Sequence, residues 1–82
     1  MTKPISIDEC IRTNLVAYFK ELGTNPANNV WGMVMGSVEK ALLETVMQQA
    51  QGNQSKASEM LGITRNTLRK KLLSHNLIQD AS

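Results

Sequence analysis

The segment that most constrains the fold is the run from Gly52 to Leu72, which predicts two short helices joined by a tight turn. Three apolar residues spaced i, i+3, i+4 give the first of these helices one apolar side: Ala57, Met60 and Leu61. Gly62 follows directly, and a glycine can end a helix in the left-handed conformation at little steric cost. Thr64 is then placed to cap the next helix. The pattern predicts a helix-turn-helix.

The second of these helices carries a basic side. Leu68 and Leu72 are predicted to face inward, and Arg65 and Arg69 to share the opposite side at a spacing of i, i+4. A basic helix that follows a tight turn is suited to enter a DNA major groove. A basic helix side is also a common solvated surface, so this pattern alone leaves both interpretations open.

The charge distribution favours the DNA interpretation. The stretch from Gly52 to Ile78 has five basic residues and one acidic residue, a net charge of +4, and the rest of the chain has four basic and six acidic residues, a net charge of −2. A cluster of positive charge at one end of a chain is the electrostatic footprint expected for phosphate binding. His75, near the end of the basic helix, is interpreted as a partner of the helix dipole, with a phosphate contact as the alternative.

The size of the chain predicts an oligomer. Eighty-two residues lie near the lower limit for a sufficient hydrophobic core. The single cysteine, Cys10, excludes an intramolecular disulfide and is interpreted as a small packed residue, and no Cys/His cluster has metal-ligand spacing. Without a secretory signal or a membrane-length apolar segment, we expect a cytoplasmic protein with no membrane partner and no cofactor. The one histidine and the scattered carboxylates form no catalytic set, so we expect no enzyme activity.

Two further helices are predicted upstream, over 6–22 and about 28–51. Ser6 and Glu9 form a capping box before the first of them, and Gly23 ends it. The second would be roughly 33–36 Å long at 1.5 Å per residue. A compact chain of this size is only about 30 Å across. A second copy must therefore cover the surplus apolar surface of the long helix.

The dimer-interface candidates lie in the first half of that long helix, except for Leu42, which is just beyond its midpoint. Gly32 and Gly36 would permit close approach of a crossing helix, although they could also simply weaken this half of the helix. The predicted interface residues are Val30, Trp31, Gly32, Val34, Met35, Gly36, Val38 and Leu42.

The sequence also resembles a known family, that of Fis, the factor for inversion stimulation, a bacterial nucleoid-associated protein. The resemblance rests on Gly52-Asn53-Gln54, Ala57, Gly62-Ile63, Arg65 and Thr67-Leu68-Arg69-Lys70-Lys71-Leu72, and it extends upstream to Val46-Met47-Gln48, Leu42-Leu43 and Tyr18-Phe19. Activators of the sigma-54 type end in the same signature, so an isolated helix-turn-helix of such an activator is an alternative. Those activators carry an ATPase domain, and this chain has no glycine-rich phosphate loop.

The resemblance implies an all-α fold with four helices per chain. Residues 1–51 would hold the dimerisation helices of an intertwined homodimer, 52–78 the helix-turn-helix and 79–82 a tail, in one cooperative domain. It also implies binding and bending of double-stranded DNA at degenerate sites with an A/T-rich centre. The alternative class is a helical protein-interaction module with a basic face.

The DNA-binding candidates follow from the match to the family motif. Arg65 and Arg69 resemble the base-reading residues, and the remaining candidates are phosphate contacts or neighbouring polar positions: Asn53, Ser55, Lys56, Thr64, Asn66, Thr67, Lys70 and Lys71. The family's N-terminal hairpin arms, which contact recombinases, precede the first helix, where this sequence has only Met1 to Ile5. We therefore expect no recombinase contact.

Overall fold

The computed structural model describes residues 6–79, which form four α-helices. These are α1 (Ile7–Leu22), α2 (Val30–Gln49), α3 (Gln54–Leu61) and α4 (Arg65–Ser74). The described range contains no strand, which confirms the all-α prediction. The short segment before Ser6 and most of the predicted tail lie outside the described residues. Backbone contacts divide the chain into two units, Met1–Val30 and Trp31–Ser82, which are described separately.

In the first unit, α1 begins and ends at the predicted residues. The backbone N–H of Glu9 donates to Ser6 Oγ at 3.4 Å, which is the N-cap half of the capping box. Gly23 ends the helix with φ 64°, and its N–H donates to the carbonyl of Phe19 at 3.2 Å. None of the α1 side chains is buried, and Cys10 is exposed, so its interpretation as a packed residue was wrong for the single chain.

The bounds of α2 differ from the prediction by two residues at each end. Asn29 has φ 52°, so the helix begins only at Val30. At the other end, the N–H of Gly52 donates to the carbonyl of Met47 at 2.9 Å, and Gln51 N–H donates to Gln48 at 3.1 Å. This is the Schellman pattern, and it places Gln51, with φ 54°, in the left-handed position that ends the helix. The turn therefore starts one residue before Gly52.

The second unit is built around a core shared by three helices. Leu43 and Ala50 of α2, Ala57 of α3, and Leu68 and Leu72 of α4 are each at most 2% exposed. Partly buried side chains close this core: Val46, Met47, Leu61, Ile63, Leu77 and Ile78. Helices α3 and α4 therefore share their core with the C-terminal half of α2.

Small residues lie where α3 enters this core. Ala57 is fully buried and Ser58 is 7% exposed, with its hydroxyl donating to the carbonyl of Ser55 at 2.8 Å. The predicted apolar side of α3 was wrong in one member, because Met60 is 51% exposed. Ser58 and Leu61 lie to one side of Ala57 and face the core, whereas Met60 lies about 60° to its other side.

The part of α2 from Trp31 to Leu42 exposes large apolar side chains. Trp31 is 79% exposed, and Met33, Met35 and Leu42 are 39%, 43% and 48% exposed. A Cβ atom added at Gly36 would meet no atom within 4 Å. Within residues 6–79, no helix combines the length and the apolar character required to cross a bilayer.

Candidate nucleic-acid interface

The turn between α3 and α4 is fixed by Gly62. Gly62 adopts φ 76° and ψ 28°, the left-handed conformation, and its N–H donates to the carbonyl of Glu59 at 3.3 Å. The N–H of Ile63 donates to the carbonyl of Ser58 at 3.2 Å, and the Ile63 side chain packs against the core. Together these contacts form a second Schellman ending, in which a residue with a Cβ would be strained at the glycine position. The predicted helix-turn-helix is present.

Both helices of this motif have side-chain caps at the predicted residues. Asn53 Oδ1 accepts the backbone N–H of Lys56 at 3.2 Å, and Thr64 Oγ1 accepts the N–H of Thr67 at 3.2 Å. The Thr64 hydroxyl also donates to the Thr67 hydroxyl at 2.8 Å. The cap at Asn53 uses the amide oxygen and not the amide NH2 group, which is the donor that a phosphate oxygen would accept from.

The faces of α4 differ in one respect from the sequence prediction. Because consecutive helical residues are about 100° apart, Lys70 lies about 160° from both buried leucines, Leu68 and Leu72. Arg69 lies only about 60° from Leu72. The prediction that Arg65 and Arg69 lie opposite the leucines was therefore wrong. The two arginines form one flank, Lys70 occupies the outermost line, and Lys71 lies on the other flank.

Nine of the ten candidate residues are exposed. Asn53, Ser55 and Lys56 lie at the start of α3, and the others lie at the start and along the outer side of α4: Thr64, Arg65, Asn66, Thr67, Arg69 and Lys70. The exception is Lys71, which is partly buried. The fold thus brings the candidates of both helices into one compact unit with the basic side chains at its surface.

Lys71 lies against an acidic residue that the sequence analysis did not single out. Lys71 Nζ is 3.0 Å from Glu39 Oε2, and His75 Nε2 is 2.9 Å from Glu39 Oε1. The hydrogen bond from His75, followed by the contact with Lys71, lowers the pKa of Glu39 below its usual value. The observed contact of His75 is thus with a carboxylate of α2. No local signal could have revealed it, because Glu39 precedes its two partners by 32 and 36 residues.

Asn76 and Leu77 close the C-terminal end of α4. Asn76 takes the left-handed conformation with φ 58°, and the N–H of Leu77 donates to the carbonyl of Leu72 at 2.9 Å. The Leu77 side chain returns to the core, which holds the C-terminal end of α4 in place. Within the described residues, no group of three or more His, Cys, Asp or Glu side chains could hold a metal ion.

These features define an all-α protein of the helix-turn-helix class. A family model described as "Bacterial regulatory protein, Fis family" matches residues 35–74, from the middle of α2 to the end of α4. The chain belongs to the Fis family.

Full-length relatives extend the match beyond the helix-turn-helix. The chain is 60% identical over 73 residues to a protein of Neisseria meningitidis serogroup A, covering 88% of this chain and 91% of that protein. It is 53% identical to one of Ralstonia nicotianae (88% and 94% covered) and 45% identical to one of Pseudomonas aeruginosa (89% and 70% covered). Each of these is described as a "Putative Fis-like DNA-binding protein". The similarity therefore spans α1 and α2 as well as the helix-turn-helix.

Proposed function

We propose that this chain is a homodimeric DNA-binding protein that inserts the α4 helix of each protomer into the major groove of double-stranded DNA. It acts as a nucleoid-associated regulator in the bacterial cytoplasm, on degenerate sites with an A/T-rich centre, and it bends them. Membership of the Fis family supports this proposal, as do the relatives described as DNA-binding at 45–60% identity.

The observation that carries the proposal is the packing of one side of α4 against the core. Leu68 and Leu72 are fully buried, so the helix is fixed to the core on one side. Arg65, in the first turn of α4, and Lys70, on its outermost line, are exposed, in the stretch of net charge +4. A rigidly held helix with an exposed basic surface can enter a groove without being ordered by the DNA.

The basic residues have different roles in the proposed complex. Arg65 is in the first turn of α4, which reaches deepest into a major groove, and its guanidinium can pair with two acceptors of guanine. Arg69 follows one turn later on the same flank. The outermost residue, Lys70, and Lys56 at the start of α3 each supply a single point charge suited to a phosphate. The Asn53 amide NH2 group is a neutral hydrogen-bond donor to the same kind of oxygen.

The dimeric state is supported by the uncovered surface of α2. Trp31 is 79% exposed in the single chain and Leu42 is 48% exposed, although burial of such side chains is worth about 1.5–3 kcal/mol each. Val30, Val34 and Val38 continue the same stripe and are only partly buried. A second copy that packs on this stripe would also set the spacing of the two recognition helices, which determines the bend.

Selection from a random duplex library tests the proposal. Wild-type protein, Arg65→Ala and Lys70→Ala are used to select bound duplexes, and affinity is then measured over a salt series. We expect Arg65→Ala to lose discrimination of about 1–3 kcal/mol at one flanking base pair. Lys70→Ala should weaken all sequences about equally and reduce the salt slope by about one.

Two results would contradict this assignment at different levels. If Arg65→Ala selects the same bases as the wild type, Arg65 is a phosphate contact and specificity comes from DNA shape. If the wild type binds no duplex even at low salt, the basic surface serves a protein partner instead, as in a helical interaction module.

A further inference from the structure

Two nitrogen donors, Lys71 on α4 and His75 at its C-cap, converge on one carboxylate of α2. Lys71 Nζ lies 3.0 Å from one oxygen of Glu39, and His75 Nε2 lies 2.9 Å from the other. The side chains of Lys71 and Glu39 are 39% and 36% exposed, and that of His75 is 16% exposed. Water and ions therefore reach the Lys71–Glu39 contact, whereas His75 is largely covered.

The carboxylate engages these donors as a DNA phosphate would. Two oxygens of one anion accept from two nitrogen donors at distances typical of charge-assisted hydrogen bonds. The His75 ring can donate through Nε2 whether it is neutral or protonated, so it can hold the carboxylate beside Lys71 in either state. Lys71 is also the only one of the ten DNA-binding candidates that is not exposed.

We propose that Glu39 is a positioning residue that competes with DNA phosphates for Lys71 and so limits the sequence-independent share of the affinity. This inference rests on the proposed DNA-binding function. While Lys71 is paired with Glu39, its charge is already compensated, so it neutralises less phosphate charge and releases fewer of the counterions condensed on the DNA. His75, whose side chain is only 16% exposed, holds the competing carboxylate in place.

The size of the effect is bounded by the exposure of the pair. An ion pair that is more than one-third exposed changes an equilibrium by no more than about fivefold. Removing the charge of Glu39 should therefore tighten duplex binding by up to about fivefold per protomer. The salt slope should steepen by up to about one ion per protomer.

The test compares Glu39→Gln with Glu44→Gln on one mixed-sequence duplex over a salt series. Both variants remove one negative charge from α2, but only Glu39 contacts Lys71. We expect Glu39→Gln to bind more tightly and with a steeper salt slope than Glu44→Gln. In a Lys71→Ala background, the advantage of Glu39→Gln over Glu44→Gln should vanish.

The inference is overturned if Glu39→Gln binds no more tightly than Glu44→Gln, or if its advantage persists without Lys71. Wild-type protein that binds no duplex would instead refute the proposed function. A second measurement needs no variant: carbon NMR titration of the carboxyl groups of the wild-type protein. Adding duplex should raise the pKa of Glu39, because the Lys71 contact is lost. An unchanged pKa of Glu39 would also overturn the inference.

Discussion

The proposed dimer predicts the sign of the stability change caused by Gly36→Leu, in the interior of α2. In the single chain, a Cβ atom at this position would meet nothing within 4 Å. Replacing a helical glycine with leucine improves helix propensity by about 0.8 kcal/mol. If α2 had no partner at this position, Gly36→Leu should therefore stabilise the protein by about that amount.

A crossing helix of a second copy would reverse the sign of this effect. A leucine side chain forced into a close helix contact typically costs about 1–3 kcal/mol in strain and backbone displacement. Subtracting the propensity gain of about 0.8 kcal/mol leaves a net destabilisation of up to about 2 kcal/mol per protomer. Because two copies meet at the interface, the change should also weaken association.

The assay is thermal and urea unfolding at several protein concentrations, combined with sedimentation. We expect wild-type unfolding to depend on concentration, because folding and association are linked. Gly36→Leu should lower the unfolding midpoint and the association constant. Ser37→Leu is the matched control, because Ser37 is the next residue along α2 and is exposed, so its replacement should change stability by no more than about 0.5 kcal/mol. A more stable Gly36→Leu protein with unchanged association would refute close approach at this glycine.

Three further predictions follow from the second unit. Leu68→Ala should destabilise the protein by about 2–5 kcal/mol in urea unfolding, because the side chain is fully buried. Truncation of the half-exposed Met60 should cost no more than about 0.5 kcal/mol. Similar costs for the two changes would contradict the described core. Thr64→Ala should lower the free energy of unfolding by about 0.5–2 kcal/mol, because the α4 cap is lost, and Thr64→Ser should lower it much less. Equal losses in the two variants would show that the cap contributes nothing. The His75 hydrogen bond holds the pKa of Glu39 below its usual 4.5. The stability that the ionised Glu39 contributes is therefore complete above pH 4.5 and is lost as pH falls through the lowered pKa. Glu39→Gln should therefore lose less unfolding free energy than the wild type between neutral pH and pH values below 4.5, and parallel pH profiles would contradict this.

The caps and ends of the helices could be predicted from sequence because they depend on neighbouring residues. The caps at Asn53 and Thr64 each close a hydrogen bond over three residues. The left-handed endings at Gly62 and Asn76 likewise involve only the preceding turn of helix. Local chemistry of this kind is sufficient to define a helix-turn-helix and its basic helix.

The faces of the helices were harder to assign, because a residue type does not specify what packs against it. Met60 continues an apolar pattern but is at the surface, and Gln51 takes a left-handed conformation next to a glycine that could have taken the same role. Neither outcome can be deduced from the residue type alone.

The sequence by itself therefore determined the all-α class, the helix-turn-helix, its capping residues and the family resemblance. Only the tertiary structure placed Glu39 against Lys71 and His75, and only the fold made the C-terminal half of α2 the platform for α3 and α4. The physical reason is distance along the chain. Caps and turns form between residues a few positions apart, whereas the Glu39 contacts join residues more than thirty positions apart, which meet only when the shared core has formed.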